Sequence, residues 1–259
     1  MTMKLISLLT CKASKCTGLK NLFRTSIIAR FFRDLIRRAS SSPNAFQQVV
    51  SRMDTCGIET VLDIGANVGQ FGIDMRRHGF DGQIVSFEPV NETFVLLTET
   101  IKKHKPWSAL PMGLGSIESE LTINISGNSG LSTSLLKMGS VHLSNFPETA
   151  TVATAKVLIS TLDKQLEVLG IDPRKILLKL DVQGYEAEVL KGASQSLAKI
   201  PLCYLEVSLV PLYEGETTFL PILNMLSEAG HEVIDVFRGL TAKNGQLLQM
   251  DILTKLTKD

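Results

Sequence analysis

From residue 43 onward, short apolar runs alternate with stretches whose apolar residues recur at helical spacing. Such runs are typical of buried strands, and their alternation with helices favours a mostly parallel sheet that helices cover on both faces. We therefore predict an α/β fold with a doubly wound sheet. The predicted strands are 60–64, 83–88, 109–112, 175–181, 202–207, 232–237 and 248–256, and the predicted helices are 43–56, 69–78, 92–105, 162–169, 185–190 and 219–229.

The last two predicted strands flank the dipeptide Asn244-Gly245. Asn-Gly favours a tight hairpin because both residues tolerate a positive φ, so the final strand is predicted to run antiparallel. Residues 113–160 are richer in Ser, Thr and Gly than the rest, with β-type segments at 119–125 and 152–159. We interpret this region as a candidate acceptor-binding or lid region.

Composition and cysteine spacing limit the classes of protein to which the chain can belong. The chain has 259 residues, of which 44% are hydrophobic, which suits one α/β domain with a sizeable core. It contains no apolar stretch of about 18 residues, so no transmembrane helix is predicted. Its four cysteines include no CxxC pair, which argues against a zinc ribbon and favours a reducing compartment. We therefore predict a cytoplasmic protein.

The positive charge is concentrated at the N-terminus. Residues 1–42 contain nine Lys and Arg and one Asp, which leaves 18 basic and 25 acidic residues in the rest of the chain. An acidic body repels phosphates, so nucleic acid is not an expected partner. The Ser- and Pro-containing sequence at 40–43 is predicted to separate a basic arm, 1–42, from a domain over 43–259.

Within the arm, the apolar residues of 19–38 form one stripe at helical spacing. One interpretation is a helix that lies on an anionic membrane surface, which would make the protein membrane-peripheral. The second is an organelle transit peptide, and the third is a helix packed on the body or on a second copy of the chain.

A Gly-containing turn follows the first predicted strand. Asp63 ends the strand, and Gly65, Asn67 and Gly69 lie in the turn to the next helix. Ligands of doubly wound sheets bind outside the carboxyl ends of the strands, so the turn is a candidate binding site. It is not a GxGxxG sequence, and an acid before the turn suits a positively charged ligand better than a pyrophosphate. The alternative is an ordinary strand–helix turn.

Glu88 ends the second predicted strand, 23 residues after Gly65. An acid at this place accepts hydrogen bonds from ribose hydroxyls in dinucleotide-binding folds. Together with the Gly-containing turn it predicts an adenosine-containing ligand. The alternative is a surface acid beside the turn at Pro89.

Lys179 and Asp181 lie at the end of the predicted strand 175–181 and project to the same face of that strand. A lysine in a buried strand needs a charged partner, and Asp181, Glu186 and Glu206 are the candidates. Two interpretations stay open for Asp181: a carboxylate aimed into a pocket, or one half of a structural ion pair.

Five segments together resemble the FkbM family of S-adenosylmethionine-dependent methyltransferases. The resemblance extends over about 58–240 and does not include the arm. It implies a Rossmann-like methyltransferase fold, S-adenosylmethionine as cofactor, and methyl transfer to a hydroxyl, often of a sugar or polyketide. Where the family often has Glu-Gly after the acid that corresponds to Asp181, this chain has Gln183-Gly184. The segments are VLDIGANVGQF at 61–71, SFEP at 86–89, TLD at 161–163, KLDVQGYEAEVLKGA at 179–193 and LEVSLVPLYEGE at 205–216.

The residues themselves suggest roles that agree with the resemblance. Asp181 is the first candidate for the base that accepts the proton of the acceptor hydroxyl, or for orienting the acceptor, followed by Glu206 and His142. A divalent metal that acidifies the hydroxyl is left open, because no ligand cluster is evident in the sequence. The expected cofactor-binding residues are Asp63, Gly65, Asn67, Gly69, Phe71 and Glu88.

Residues 126–134 are dense in hydroxyl and amide side chains, which suits recognition of sugar hydroxyls and closure over the cofactor. A flexible loop is the alternative. The expected partner is a small-molecule or glycan acceptor, and the oligomeric state is left open. Two other functions remain: an NAD(P)-dependent oxidoreductase, which shares the fold, and a non-catalytic S-adenosylmethionine-binding module.

Overall fold

The computed structural model of the chain describes residues 45–104 and 106–257. The predicted arm, and with it the membrane, targeting and packing interpretations, lies outside the described residues. Among the described helices, none has the length and apolarity needed to cross a membrane. In chain order the helices and strands are α1 Ala45–Thr55, β1 Thr60–Ile64, α2 Gln70–Arg77, β2 Gln83–Phe87, α3 Asn91–Ile101, β3 Trp107–Leu110, β4 Gly113–Leu114, β5 Ser119–Ser126, α4 Ser140–Asn145, β6 Thr151–Ser160, α5 Leu162–Leu169, β7 Ile176–Leu180, α6 Glu186–Lys191, β8 Leu202–Ser208, α7 Phe219–Glu228, β9 His231–Arg238 and β10 Gln249–Leu256.

Seven strands form the central sheet in the order β3-β2-β1-β7-β8-β10-β9. The five strands from β3 to β8 run parallel, and β10 is antiparallel to both of its neighbours. This confirms the predicted α/β fold with an antiparallel last strand. The sequence did not predict that β10 inserts between β8 and β9, because the Asn-Gly turn indicates only that β9 and β10 pair.

Apolar side chains cover both faces of this sheet. On one face the core includes Met53, Met75 and Leu97 from α1, α2 and α3. On the other face it includes Leu166 and Leu226 from α5 and α7. The inner strands are therefore buried on both sides, which explains why they read as continuous apolar runs rather than as alternating patterns.

The region 113–160 forms a separate three-stranded sheet in the order β4-β6-β5. Its small apolar core contains Val90, Ile123, Val157 and Ile159. The two predicted β-type segments correspond to β5 and β6, which pair antiparallel. The short strand β4 and helix α4 were not predicted, because elements of two and six residues carry too little periodicity.

Candidate active site

Four carboxylates lie at or near the carboxyl ends of parallel strands of the central sheet. β1 pairs with β2 and β7, and β7 pairs with β8, all in parallel, so these ends lie along one edge of the sheet. Asp63 lies one residue before the end of β1, and Glu88 and Asp181 directly follow β2 and β7, while Glu206 lies near the end of β8. The structure thus brings the residues of four separate sequence segments to one edge of the sheet, as expected for a doubly wound sheet.

Asp63 and Lys179 form a buried ion pair behind the turn. They occupy facing positions of β1 and β7, and Asp63 Oδ1 lies 2.8 Å from Lys179 Nζ. The hydroxyl of Ser86 donates to Asp63 Oδ2 at 3.3 Å. Asp181 Oδ2 is farther from the ammonium, at 3.9 Å. The principal partner of Lys179 is therefore Asp63, which the sequence analysis had not considered as its partner.

The turn between β1 and α2 packs against the end of β7. Gly65 has a φ of +75°, and a Cβ there would lie 2.0 Å from the backbone oxygen of Asp181. Lys179 Nζ also donates to the carbonyl of Gly65 at 3.0 Å. Only glycine fits at position 65, since a side chain would need both an unfavourable φ and a shift of the neighbouring strand.

All five backbone N–H groups of residues 65–69 already donate within the protein. The acceptors are Phe87 O for two of them, Glu88 Oε2, Asn67 Oδ1 and Ala66 O. A pyrophosphate bound at this turn would have to displace these acceptors. The hydrogen bonding therefore agrees with the sequence argument that the turn is not built for a pyrophosphate.

Glu88 ties the turn to the end of β2. Its Oε2 accepts from the backbone N–H of Asn67 at 2.9 Å, and its Oε1 accepts from that of Val90 at 2.9 Å. The side chain is buried. Burial raises the pKa of Glu88 to about 7, an effect that the two backbone donors and Lys179 partly offset. The carboxylate is thus held in place at a cost in desolvation.

Gly69 and Phe71 face the helices and the core rather than the strand ends. A Cβ on Gly69 would lie 3.0 Å from Leu97 of α3. The ring of Phe71 packs on Tyr204, with centroids 5.4 Å apart, and the ammonium of Lys179 lies 5.7 Å from its centroid. Both residues thus help position the start of α2 against the sheet.

A glutamine joins the two carboxylates at the ends of β7 and β8. The side-chain nitrogen of Gln183 donates to Asp181 Oδ1 at 2.7 Å and to Glu206 Oε2 at 2.6 Å. Gln249 of β10 donates to the same Glu206 oxygen at 3.2 Å. Asp181 and Glu206, which were predicted separately, are therefore neighbours within one hydrogen-bonded group.

Tyr213 lies behind this group and contacts His142. Its hydroxyl donates to Gln183 Oε1 at 2.6 Å, and its ring meets that of His142 edge-on with centroids 5.4 Å apart. Burial lowers the pKa of His142, so its imidazole is neutral at neutral pH. His142 Nδ1 is buried without a hydrogen-bond partner among the described residues. The structure therefore connects His142 to the carboxylates through Tyr213 and Gln183.

The loop between β5 and α4 contacts both the Gly-containing turn and the residues at the ends of β7 and β8. Asn67 Nδ2 donates to the carbonyl of Gly130 at 3.3 Å, which connects the loop to the Gly-containing turn. The hydroxyl of Ser134 donates to the backbone oxygen of Gln183 at 2.6 Å, which connects the loop to the residue that bridges the carboxylates of Asp181 and Glu206. Inside the loop, Asn128 Nδ2 donates to Ser132 Oγ at 2.9 Å. The loop is thus internally bonded in this structure.

Sequence reasoning missed Gln183, Tyr213 and Gln249 as members of the site. Gln183 was noted only for the carboxylate it lacks. Its φ of +56° places it in a tight turn, a conformation that its sequence alone does not signal. Within the described part of the chain, no group of three or more His, Cys, Asp or Glu side chains is arranged to hold a metal ion.

Comparison with known proteins places these residues in a family context. The profile of the methyltransferase FkbM domain matches residues 63–233. The chain is 25% identical over 202 residues to the 2-O-methyltransferase NoeI of Sinorhizobium fredii, an alignment that covers 76% of this chain and 82% of that protein. It is 25% identical over 149 residues to the hexuronic acid methyltransferase AglP of Haloferax volcanii, covering 58% of this chain and 56% of that protein.

Among solved structures, a similar chain is that of Burkholderia thailandensis 1,6-didemethyltoxoflavin-N1-methyltransferase with bound S-adenosylhomocysteine. The sequence identity is 10%, the TM-score is 0.44, and the alignment covers 95% of this chain and 93% of that chain.

Proposed function

Because the chain belongs to the FkbM methyltransferase family, we propose that it transfers the methyl group of S-adenosylmethionine to a hydroxyl group of a sugar or glycan. The observation that carries the proposal is the shared amide nitrogen of Gln183, which holds the carboxylates of Asp181 and Glu206 beside the Gly-containing turn. A hydroxyl that reacts at this edge of the sheet meets a carboxylate that can take its proton.

Glu88 fits the ribose of the cofactor. Each of its oxygens accepts one backbone N–H, and a carboxylate can accept about four hydrogen bonds in all. The two vicinal hydroxyls of a ribose can therefore donate to Glu88 in addition to the two backbone N–H groups. Their donation would compensate the ionised form of a carboxylate that burial otherwise disfavours.

The turn at 65–69 is proposed to lie against the methionine part of the cofactor. Asp63 is fully buried below the turn, with one oxygen on Lys179 and the other on Ser86. We assign it, with Lys179, the task of holding the turn against β7. Its negative charge is then balanced inside the protein.

Asp181 is proposed to accept the acceptor's proton. When bound, S-adenosylmethionine would supply a methyl group on a positively charged sulfur, and the bond between that sulfur and the methyl carbon would break as the methyl group is transferred, which leaves S-adenosylhomocysteine. An alcohol is a weak acid, so the carboxylate takes the hydroxyl proton while the new oxygen–carbon bond forms and not before. Gln183 donates to Asp181 Oδ1 and so orients this carboxylate. Glu206 is the second candidate, and His142 contacts the group through Tyr213.

The region 113–160 is proposed to bind the acceptor. Its loop 126–134 contacts Asn67 on the cofactor side and Gln183 on the carboxylate side. Of the two relatives described above, one is named for 2-O-methylation and the other for a hexuronic acid, which supports a sugar hydroxyl as the acceptor.

Calorimetric titration with S-adenosylhomocysteine tests the cofactor assignment. We expect micromolar binding by the wild-type protein and a loss of at least about tenfold in Glu88→Gln, which removes an anionic acceptor of hydroxyl hydrogen bonds. The matched control is Glu92→Gln, because Glu92 is an exposed acid four residues away in α3. Binding of NAD⁺ in place of S-adenosylhomocysteine would contradict the proposed cofactor and favour an NAD(P)-dependent oxidoreductase.

Transfer of a labelled methyl group tests the reaction itself. Wild-type protein and Asp181→Asn are incubated with labelled S-adenosylmethionine and a panel of neutral and uronic oligosaccharides. We expect label in a saccharide with the wild-type protein and a loss of at least about 100-fold in the variant. Cofactor binding without transfer to any saccharide would favour the non-catalytic binding module.

A further inference from the structure

We propose that Gln183 is a positioning residue, whose side-chain amide shares its two hydrogens between Asp181 and Glu206 and so orients both carboxylates at the ends of β7 and β8. The proposal rests on the proposed function, since it concerns the same two carboxylates. It goes beyond that function because it assigns the geometry of the base to a neutral side chain that the sequence analysis did not place in the site.

The amide is oriented by groups on three different elements. The Tyr213 hydroxyl donates to Gln183 Oε1 at 2.6 Å, which directs the oxygen to Tyr213 and the nitrogen to the carboxylates. Ser134 Oγ donates to the backbone oxygen of Gln183 at 2.6 Å. The residue is buried and has a φ of +56°. A non-glycine residue in this conformation is kept there by its surroundings, which here are the hydrogen bonds at both ends of the residue.

The amide of Gln183 supplies hydrogens to two carboxylates that have other acidic residues close by. Glu186 and Glu216 are further acidic residues close to Asp181 and Glu206, and the nearby Lys179 is paired with Asp63. A leucine would remove the two hydrogens that Gln183 supplies to the carboxylates, although Gln249 would still donate to Glu206. The loss of these hydrogen bonds disfavours the charged forms of the two carboxylates and so raises their pKa, and a protonated carboxyl cannot act as the base.

The test compares Gln183→Leu with Gln165→Leu. Gln165 is also buried and donates through its side-chain nitrogen, but to Ser160. In Gln183→Leu we expect S-adenosylhomocysteine affinity within about threefold of wild type, kcat lower by about 10- to 100-fold, and the acidic limb of the pH–rate profile moved to higher pH. Tyr213→Phe should shift the profile in the same direction by less. Gln165→Leu should leave the profile in place.

A second readout does not depend on finding the acceptor. The side-chain carboxyl carbons of Asp181 and Glu206 are followed by NMR from pH 3 to 9, with assignments made from Asp181→Asn and Glu206→Gln. We expect one of the two to titrate at higher pH in Gln183→Leu than in the wild-type protein. Identical titration curves would overturn the proposal even if methyl transfer is observed, whereas a shifted curve without any methyl transfer would retain it and reject the proposed function.

Discussion

The carboxylate of Asp63 and the ammonium of Lys179 face each other across two neighbouring parallel strands, with Oδ1 and Nζ 2.8 Å apart. Their side chains are 0% and 5% exposed, so neither charge is solvated by bulk water. The ammonium also donates to the carbonyl of Gly65. The pair therefore couples the centre of the sheet to the turn proposed to hold the cofactor.

Breaking this pair from one side should be strongly destabilising. Lys179→Met leaves a buried carboxylate without its counter-ion, and we expect the free energy of unfolding to fall by about 3 to 5 kcal/mol. Asp63→Asn combined with Lys179→Met should recover part of that loss, because no charge is then left unpaired. Urea unfolding measures both. The control is Lys175→Met, which removes an exposed pair with Glu59 and should cost less than about 1 kcal/mol.

Replacing Gly65 should damage the site through the backbone. In Gly65→Ala the new Cβ would lie 2.0 Å from the Asp181 carbonyl oxygen, so the turn or the end of β7 must move. Gly57→Ala is the matched control, since Gly57 also has a positive φ, +66°, but has nothing within 4 Å of the added Cβ. We expect Gly65→Ala to cost about 2 to 4 kcal/mol more than Gly57→Ala in thermal or urea unfolding. Equal costs would mean that the turn adjusts freely.

The sequence predicts the parts of the site that depend on local order along the chain. Glu88 and Asp181 each follow an apolar run, and the strand-end rule for parallel sheets then brings them to one edge. The pairing of Asp63 with Lys179 depends on the register between β1 and β7, which are far apart in sequence, and no local pattern reports it. Tyr213 reaches Gln183 from the loop after β8, a position that only the packed structure defines.

The membrane interpretation of the arm can be tested through its basic residues. If 19–38 lies on an anionic membrane surface, full-length protein should co-sediment with vesicles containing phosphatidylserine and less with neutral vesicles. Changing Arg24, Arg30, Arg33 and Arg37 to Gln should lower the bound fraction on anionic vesicles by at least about tenfold, at about 1 kcal/mol per basic residue. Equal pelleting of the two proteins would leave the targeting and packing interpretations.

Removal of residues 127–133 should separate acceptor binding from cofactor binding. The deletion takes away the polar side chains proposed to meet the acceptor, and with them the single hydrogen bond from Asn67 to Gly130. We expect methyl transfer to be abolished and S-adenosylhomocysteine affinity to stay within a few-fold. Unchanged turnover would reject the assignment of this loop to the acceptor.

A smaller change to the same loop controls for the deletion. Asn128→Ala removes the side chain that donates to Ser132, and we expect it to raise KM for the saccharide more than it lowers cofactor affinity. Asn244→Ala is the comparison, because the side chain of Asn244 also makes a hydrogen bond within a loop. It accepts from the backbone N–H of Gln246 in the exposed turn between β9 and β10. That variant should transfer methyl groups at the wild-type rate.

Two buried glutamates resist ionisation, so their contribution to stability should fall as pH rises toward neutrality. Burial raises the pKa of Glu88 and of Glu186 to about 7, whereas both titrate near 4.5 when the chain is unfolded. Between these values the two side chains bind more protons in the folded protein than in the unfolded chain, so their contribution to the free energy of unfolding decreases with pH and levels off above pH 7. Urea unfolding at pH 5, 6, 7 and 8 measures the slope, and Glu88→Gln should reduce it because one of the two groups no longer titrates. The same ionisation predicts that S-adenosylhomocysteine binds more tightly at pH 8 than at pH 6, since a charged Glu88 accepts ribose hydroxyls better than a protonated one. Burial also lowers the pKa of His142 and of His231, which makes stability rise with pH over part of the same range, so the comparison with Glu88→Gln is the decisive one. Equal pH dependence of stability in Glu88→Gln and in the wild-type protein would contradict the raised pKa of Glu88.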